Sequence, residues 1–159
     1  MPAGVETIGA WAFAKCGSAD KIILCEGLTT IGDHAFLKCG SAKTATIPGT
    51  CETVDTSAFY QCTSMETLTL GEGIQTLKKG AFEECSALKT VTLPTSMTTL
   101  EKYTFYNCTA LREVIASSGI TDIAADVFTN DKNLTIKAPA GSNIAEYAKA
   151  KKIATVTMP

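Results

Sequence analysis

Cysteine is the residue type in this chain with the greatest capacity for chemistry, since thiolates act as nucleophiles and as metal ligands. The chain has seven cysteines but a single histidine, His34. Five cysteines recur with a period of 23, which is unlike the short spacings of zinc ligands. No nucleophile stands beside a suitable base, no glycine-rich phosphate loop is present, and acidic pairs such as Glu83-Glu84 are typical of solvated turns. The sequence therefore predicts a protein that is not an enzyme and that binds no cofactor and no metal.

The evenly spaced cysteines are better explained as part of a core. In stacked structural units their Cα–Cβ bonds would run parallel, which is poor geometry for a disulfide. We therefore expect a column of buried free thiols that pack as small apolar groups. Cys51 replaces an apolar residue of the other repeats and should also be buried, whereas Cys25 replaces a proline and should be the most exposed thiol. The column consists of Cys16, Cys39, Cys62, Cys85 and Cys108.

Composition excludes several classes of partner. The 159 residues amount to one domain, are 45% hydrophobic and carry a net charge of −2, with both signs interspersed. This balance provides no basic patch for nucleic acid or for an anionic membrane surface. The sequence contains no apolar run long enough to insert into a bilayer and no pattern of a signal peptide.

A second residue type, phenylalanine, also recurs at a regular interval, and it indicates the kind of repeat that would position the cysteines. All six phenylalanines recur with the same period as the cysteines, which is typical of stacked repeats that cannot bury their apolar faces alone. Within one repeat, residues 66–70 alternate between polar and apolar and predict a strand, and Ala81-Phe82 with Cys85 predict a helical or 3₁₀ turn. We expect an α/β-type solenoid, a right-handed coil with a parallel β-sheet on one face and short turns opposite. Its core would contain the cysteine column and Phe13, Phe36, Phe59, Phe82, Phe105 and Phe128.

The two ends of the chain depart from the regular repeat. Met1-Pro2 occupies the repeat position of Ile47-Pro48, so the sequence begins inside a repeat, as an excised fragment or as a repeat that caps itself. The period fails after Asp131, and Ser142 has the features of a helix N-cap. We therefore expect six repeats over residues 1–141 and a C-terminal cap of one helix and one strand over residues 142–159.

The repeat resembles a known family. The pattern Leu-x-x-Ile-x-Leu-Pro-x-x-Leu-x-x-Ile-Gly-x-x-Ala-Phe-x-x-Cys, seen over residues 88–108 and 28–39, is similar to the BspA-like, or Treponema-type, leucine-rich repeat. The resemblance implies a leucine-rich repeat fold and a cell-surface or secreted parent protein. It also implies adhesion to a protein ligand, such as an extracellular matrix or host surface protein.

The outward side of the predicted sheet is the candidate binding face, because repeat proteins bind extended partners through such continuous surfaces. Threonine also simply suits exposed strands, so a purely structural role is the alternative for each residue. Two further alternatives are a module that self-associates by stacking through its N-terminal edge, and an intracellular scaffold. The candidate residues are Thr44, Thr46, Thr67, Thr69, Thr90, Thr92, Lys43, Glu66, Lys89 and Arg112.

Overall fold

Short parallel strands dominate the computed structural model, which describes residues 4–159 and therefore leaves Met1-Pro2 outside the described part. Only one helix occurs among these residues, near the C-terminal end. In chain order the elements are β1 (Thr7–Ile8), β2 (Lys21–Ile23), β3 (Thr30–Ile31), β4 (Thr44–Ile47), β5 (Thr53–Val54), β6 (Thr67–Leu70), β7 (Thr76–Leu77), β8 (Thr90–Thr92), β9 (Thr99–Leu100), β10 (Glu113–Ile115), β11 (Asp122–Ile123), β12 (Thr135–Pro139), α1 (Asn143–Ala150) and β13 (Ala154–Met158).

The strands form two parallel sheets on opposite sides of a solenoid. One sheet has six strands in the order β1-β3-β5-β7-β9-β11, and the other has seven in the order β13-β12-β10-β8-β6-β4-β2. Successive strands pair in a register of one sequence period, for example Thr44 with Thr67 and Thr67 with Thr90. Because the register equals the sequence period, equivalent residues stack directly above one another. This arrangement confirms the predicted solenoid, and it adds a second sheet of two-residue strands.

The turns that carry the phenylalanines are hydrogen-bonded both within a repeat and between repeats. In the fourth repeat the Ala81 N–H donates to the Lys78 carbonyl, while the Phe82 N–H donates to the Thr104 carbonyl of the next repeat. In these turns the backbone adopts the left-handed conformation twice per repeat, as at Gly80 (φ +63°) and Glu84 (φ +59°). The turn therefore stacks as regularly as the strands.

The phenylalanines form a continuous stack through the core. Neighbouring rings lie 5.0–5.6 Å apart between centroids and are within 13° of parallel. The structure buries the five phenylalanines from Phe36 onward and the four cysteines of the column from Cys39 onward. The expectation of a buried side chain does not hold for Phe13, which is 39% exposed, or for Cys16, which is exposed. Both lie in the first repeat, where no described residue covers their N-terminal side.

The last turn of the solenoid changes register. Val114 pairs with Ile136, a step of 22 along the chain, and Ile136 pairs with Thr155 of β13, a step of 19. Helix α1 lies between β12 and β13 in sequence, and the Ser142 hydroxyl accepts a hydrogen bond from the Ala145 N–H as its N-cap. Ile144 and Ala148 of this helix are buried. The helix and β13 thus end the periodic stack.

Candidate functional site

The candidate face is the outward side of the seven-stranded sheet. Successive side chains of these strands alternate between the two faces of the sheet, so Leu68 and Val91 point into the core while the threonines on either side point outward. The structure brings all six predicted threonines together on this side in two columns, and five of them are exposed. Thr44 alone is half-buried. Neighbouring strands in a sheet lie about 4.8 Å apart, so the hydroxyls recur at that interval along the solenoid.

The predicted charged residues lie in the adjacent column, one residue before each strand. Lys43, Glu66, Lys89 and Arg112 are all exposed. Lys89 forms an ion pair with Glu66, and this hydrogen bond lowers the pKa of the Glu66 carboxyl, as does the charge of Lys43. Both signs of charge therefore lie along this column, with Glu66 between Lys43 and Lys89 and with Arg112 next to Lys89. Exposed ion pairs of this kind add little stability.

The two threonine columns are flanked differently: Thr44, Thr67 and Thr90 lie between Lys21 and Glu113, whereas the other column lies between apolar residues. Register places Ile23 beside Thr46 at one end, and Thr92 beside Ile115 towards the other. The same column continues through Lys137 to Val156 of β13. Ile23 is 59% exposed and Val156 is 47% exposed. The face thus presents a centre of threonines with both apolar and charged residues at its ends.

A third threonine column, which the sequence analysis did not identify, lies on the six-stranded sheet. It consists of Thr7, Thr30, Thr53, Thr76 and Thr99, each paired in register with the next. Thr7 and Thr30 are exposed and the others are half-buried. The signal was available in the sequence, since these threonines obey the same period as the phenylalanines.

The cysteines are arranged as structural groups. The Cys85 thiol donates to the Phe59 carbonyl at 3.3 Å, and the Cys108 thiol donates to the Phe82 carbonyl at 3.2 Å. Burial raises the pKa of the Cys85 thiol to about 12, so it remains protonated at neutral pH. Burial also raises the pKa of the Cys51 thiol to about 11. Cys51 is fully buried as expected, but Cys16 rather than Cys25 is the exposed thiol, since Cys25 is half-buried.

Two further features bear on the kind of site that is present. Within residues 4–159, no cluster of three or more histidine, cysteine, aspartate or glutamate side chains could hold a metal ion. No helix in the same part of the chain has the length and apolar character that crossing a bilayer requires.

A cavity of about 580 Å³ lies at the C-terminal end of the solenoid. It is bounded by Phe128, Asp131 and Leu134 of the last repeat and by Tyr147 and Ile153 of the terminal segment. Asp131 occupies the repeat position of the cysteine column and is only 7% exposed. The Tyr147 hydroxyl donates to the Ala125 carbonyl at 3.3 Å and so ties α1 to the last repeat.

Comparison with known proteins identifies the repeat. The sequence matches the profile of the BspA type Leucine rich repeat region in six copies, over residues 1–108 and 29–152. No curated protein matches the chain.

Several solved structures share the fold. A leucine rich repeat protein from Treponema pallidum is 21% identical, with a TM-score of 0.72 over 82% of this chain and 62% of that protein. A leucine rich cell surface protein from Faecalibacterium prausnitzii is 22% identical, with a TM-score of 0.72 over 89% of this chain and 36% of that protein. A leucine-rich repeat protein from Eubacterium ventriosum is 20% identical, with a TM-score of 0.67 over 77% of this chain and 32% of that protein. The chain thus spans 32–62% of the length of these structures.

Proposed function

The chain belongs to the proteins with BspA-type leucine-rich repeats, and on that premise we propose that it is a non-catalytic module that binds a protein through the outward face of its seven-stranded sheet. The ligand we propose is an extracellular matrix or host surface protein. The parent protein would then be a secreted or cell-surface adhesin. The similar protein from Faecalibacterium prausnitzii is a cell surface protein, which supports this location.

One observation carries the proposal: two columns of threonine lie side by side across three neighbouring strands without any covering element. Thr46, Thr67, Thr69, Thr90 and Thr92 are exposed. Their hydroxyls can donate and accept, and each has a short side chain that loses little conformational entropy on binding. The charged column beside them offers both signs, which suits a protein partner better than a polyanion. An extended segment or a sheet edge could therefore bind along several repeats at once.

The binding face can be tested by adding bulk and charge to its centre. The variant Thr67→Lys/Thr90→Lys replaces two exposed threonines in one column. We expect it to abolish binding to immobilised matrix and plasma proteins, such as fibronectin and fibrinogen, in biolayer interferometry. Because both side chains are exposed, the melting temperature should change little.

The matched control places the same added charge on the opposite sheet. Thr7→Lys/Thr30→Lys changes two exposed residues that pair in register there, and it should bind as the unaltered protein does. Equal binding by both variants would refute the assignment of the face. Absence of binding by the folded, unaltered chain would instead favour a role in assembly or as a scaffold.

A further inference from the structure

The last strand of the seven-stranded sheet, β13, has a free edge. It stands at the end of the strand order, and among residues 4–159 it pairs only with β12. The pairing is regular over five residues, from Thr135 with Ala154 to Pro139 with Met158, so no bulge bends the strand away. An edge of this kind presents backbone N–H and C=O groups that can pair with another strand.

None of the usual protections of an edge strand is present in β13. Residues 154–158 include no charged residue and no proline. Ala154, Thr155 and Thr157 are exposed and Val156 is 47% exposed, so the strand is open on both faces. Residues of α1 and β13 together line an open cavity of about 620 Å³.

The opposite edge of the same sheet is protected. Its strand, β2, has three residues and begins with a lysine, Lys21. Short length and an edge lysine are two of the devices by which proteins avoid edge pairing. The contrast places the pairing surface at the C-terminal end of the solenoid.

The sequence of β13 is complementary to itself in the antiparallel direction. It reads Ala-Thr-Val-Thr-Met, which is nearly symmetric about Val156. A two-fold axis at this residue would set Val156 opposite the partner's Val156 and Thr155 opposite the partner's Thr157. Cross-strand pairs of β-branched residues and of threonines stabilise antiparallel strands. A closed two-fold contact of one surface with itself is also the commonest form of homodimer.

The neighbouring charges favour the same direction. Lys151 and Lys152 precede the strand and are exposed. In the antiparallel pair the two Lys152 residues would be separated by roughly 26 Å along the strands, which is beyond the screening length at physiological salt. A parallel pair in register would place these lysines side by side and would be repulsive.

We propose that β13 pairs with β13 of a second copy of this chain, forming a two-fold dimer in which the seven-stranded sheets join edge to edge. Register extends the threonine columns to β13, so the outward faces of both protomers would form one continuous surface. The dimer does not depend on the proposed function, because the strand edge pairs whether or not that surface binds a ligand.

Sedimentation equilibrium tests the dimer. We expect the mass to rise from the monomer value of 16.7 kDa to twice that value as concentration increases. Val156→Lys would put two like charges opposite each other at the axis and should hold the protein at the monomer mass. Thr92→Lys adds the same charge in the middle of the sheet and should leave dimerisation unchanged. The far-ultraviolet circular dichroism of both variants reports whether each is folded.

Cross-linking tests the register. In a Cys16→Ser background, which removes the exposed native thiol, Val156→Cys should give a covalent dimer under mild oxidation, and Thr92→Cys should not. A monomer at millimolar concentration would refute the proposal. So would a dimer that Val156→Lys does not weaken, because its interface would lie elsewhere. Mass that grows without limit would indicate head-to-tail pairing and would also overturn the two-fold arrangement.

Discussion

Replacing Asp131 by asparagine should remove a pH dependence of stability that the wild-type solenoid carries in its last repeat. Asp131 lies one repeat after Cys108, where a thiol of the column would donate to a phenylalanine carbonyl. A carboxylate cannot donate, and among the described residues neither of its oxygens makes a hydrogen bond of normal geometry. Burial raises the pKa of the Asp131 carboxyl to about 8, and only a weak interaction with the Cys108 backbone opposes this.

The size of the effect follows from the two pKa values. The unfolded chain has the ordinary value of 3.8, so between 3.8 and about 8 the folded state binds a proton that the unfolded state has lost. The contribution of Asp131 to stability is therefore fully present below pH 3.8, falls between 3.8 and about 8, and is lost above that range. The slope reaches about 1.4 kcal/mol per pH unit, and the loss between pH 5 and pH 7 is about 2–3 kcal/mol. For a chain of this length that loss lowers Tm by about 5–10 °C.

Urea unfolding at pH 5, 6, 7 and 8 is the appropriate assay. Asparagine has the same shape and cannot ionise, so the free energy of unfolding of Asp131→Asn should lack this decline. The other ionisable groups near the cavity are Tyr147, Lys132, Lys151 and Lys152, and Asp126 lies close in sequence. Asp122→Asn, at an exposed residue of β11, is the control and should keep the wild-type slope. Parallel curves for wild type and Asp131→Asn would refute the reasoning.

Other predictions follow from the stack, the turns and the thiols. Phe82→Ala removes a fully buried ring between two stacked neighbours and should lower the free energy of unfolding in urea by about 3–5 kcal/mol. Phe13→Ala should lower it clearly less, because Phe13 is partly exposed, and equal losses would contradict this difference. Gly80→Ala places a side chain at φ +63° and should cost about 1 kcal/mol; an unchanged midpoint would show that the turn is not strained. In the folded protein Cys16 should be alkylated by iodoacetamide well before Cys85, as mass spectrometry can measure; equal rates would contradict the described burial.

The repeat and its core could be predicted because every copy has apolar residues at the positions that face the core of the stack. Phe59, Phe82 and Phe105 are fully buried, as their period suggested, since each has a neighbouring repeat on both sides. The threonine face was also predictable in its geometry, because alternation along a strand decides which residues point outward. The threonine column on the six-stranded sheet was overlooked because strands of two residues are too short to show alternation.

The solenoid, the residues that fill it and the residues on its outward face all depend on the repeat period, so they can be predicted from the sequence alone. The tertiary structure decided what happens where the period stops. Phe13 and Cys16 have the same sequence context as their equivalents, yet they are exposed because no described residue covers them. Asp131 breaks the column but is still buried, because the terminal segment covers it. Whether a core residue of a terminal repeat is exposed depends on whether a neighbouring repeat packs against it. The residues of the terminal repeat do not specify this.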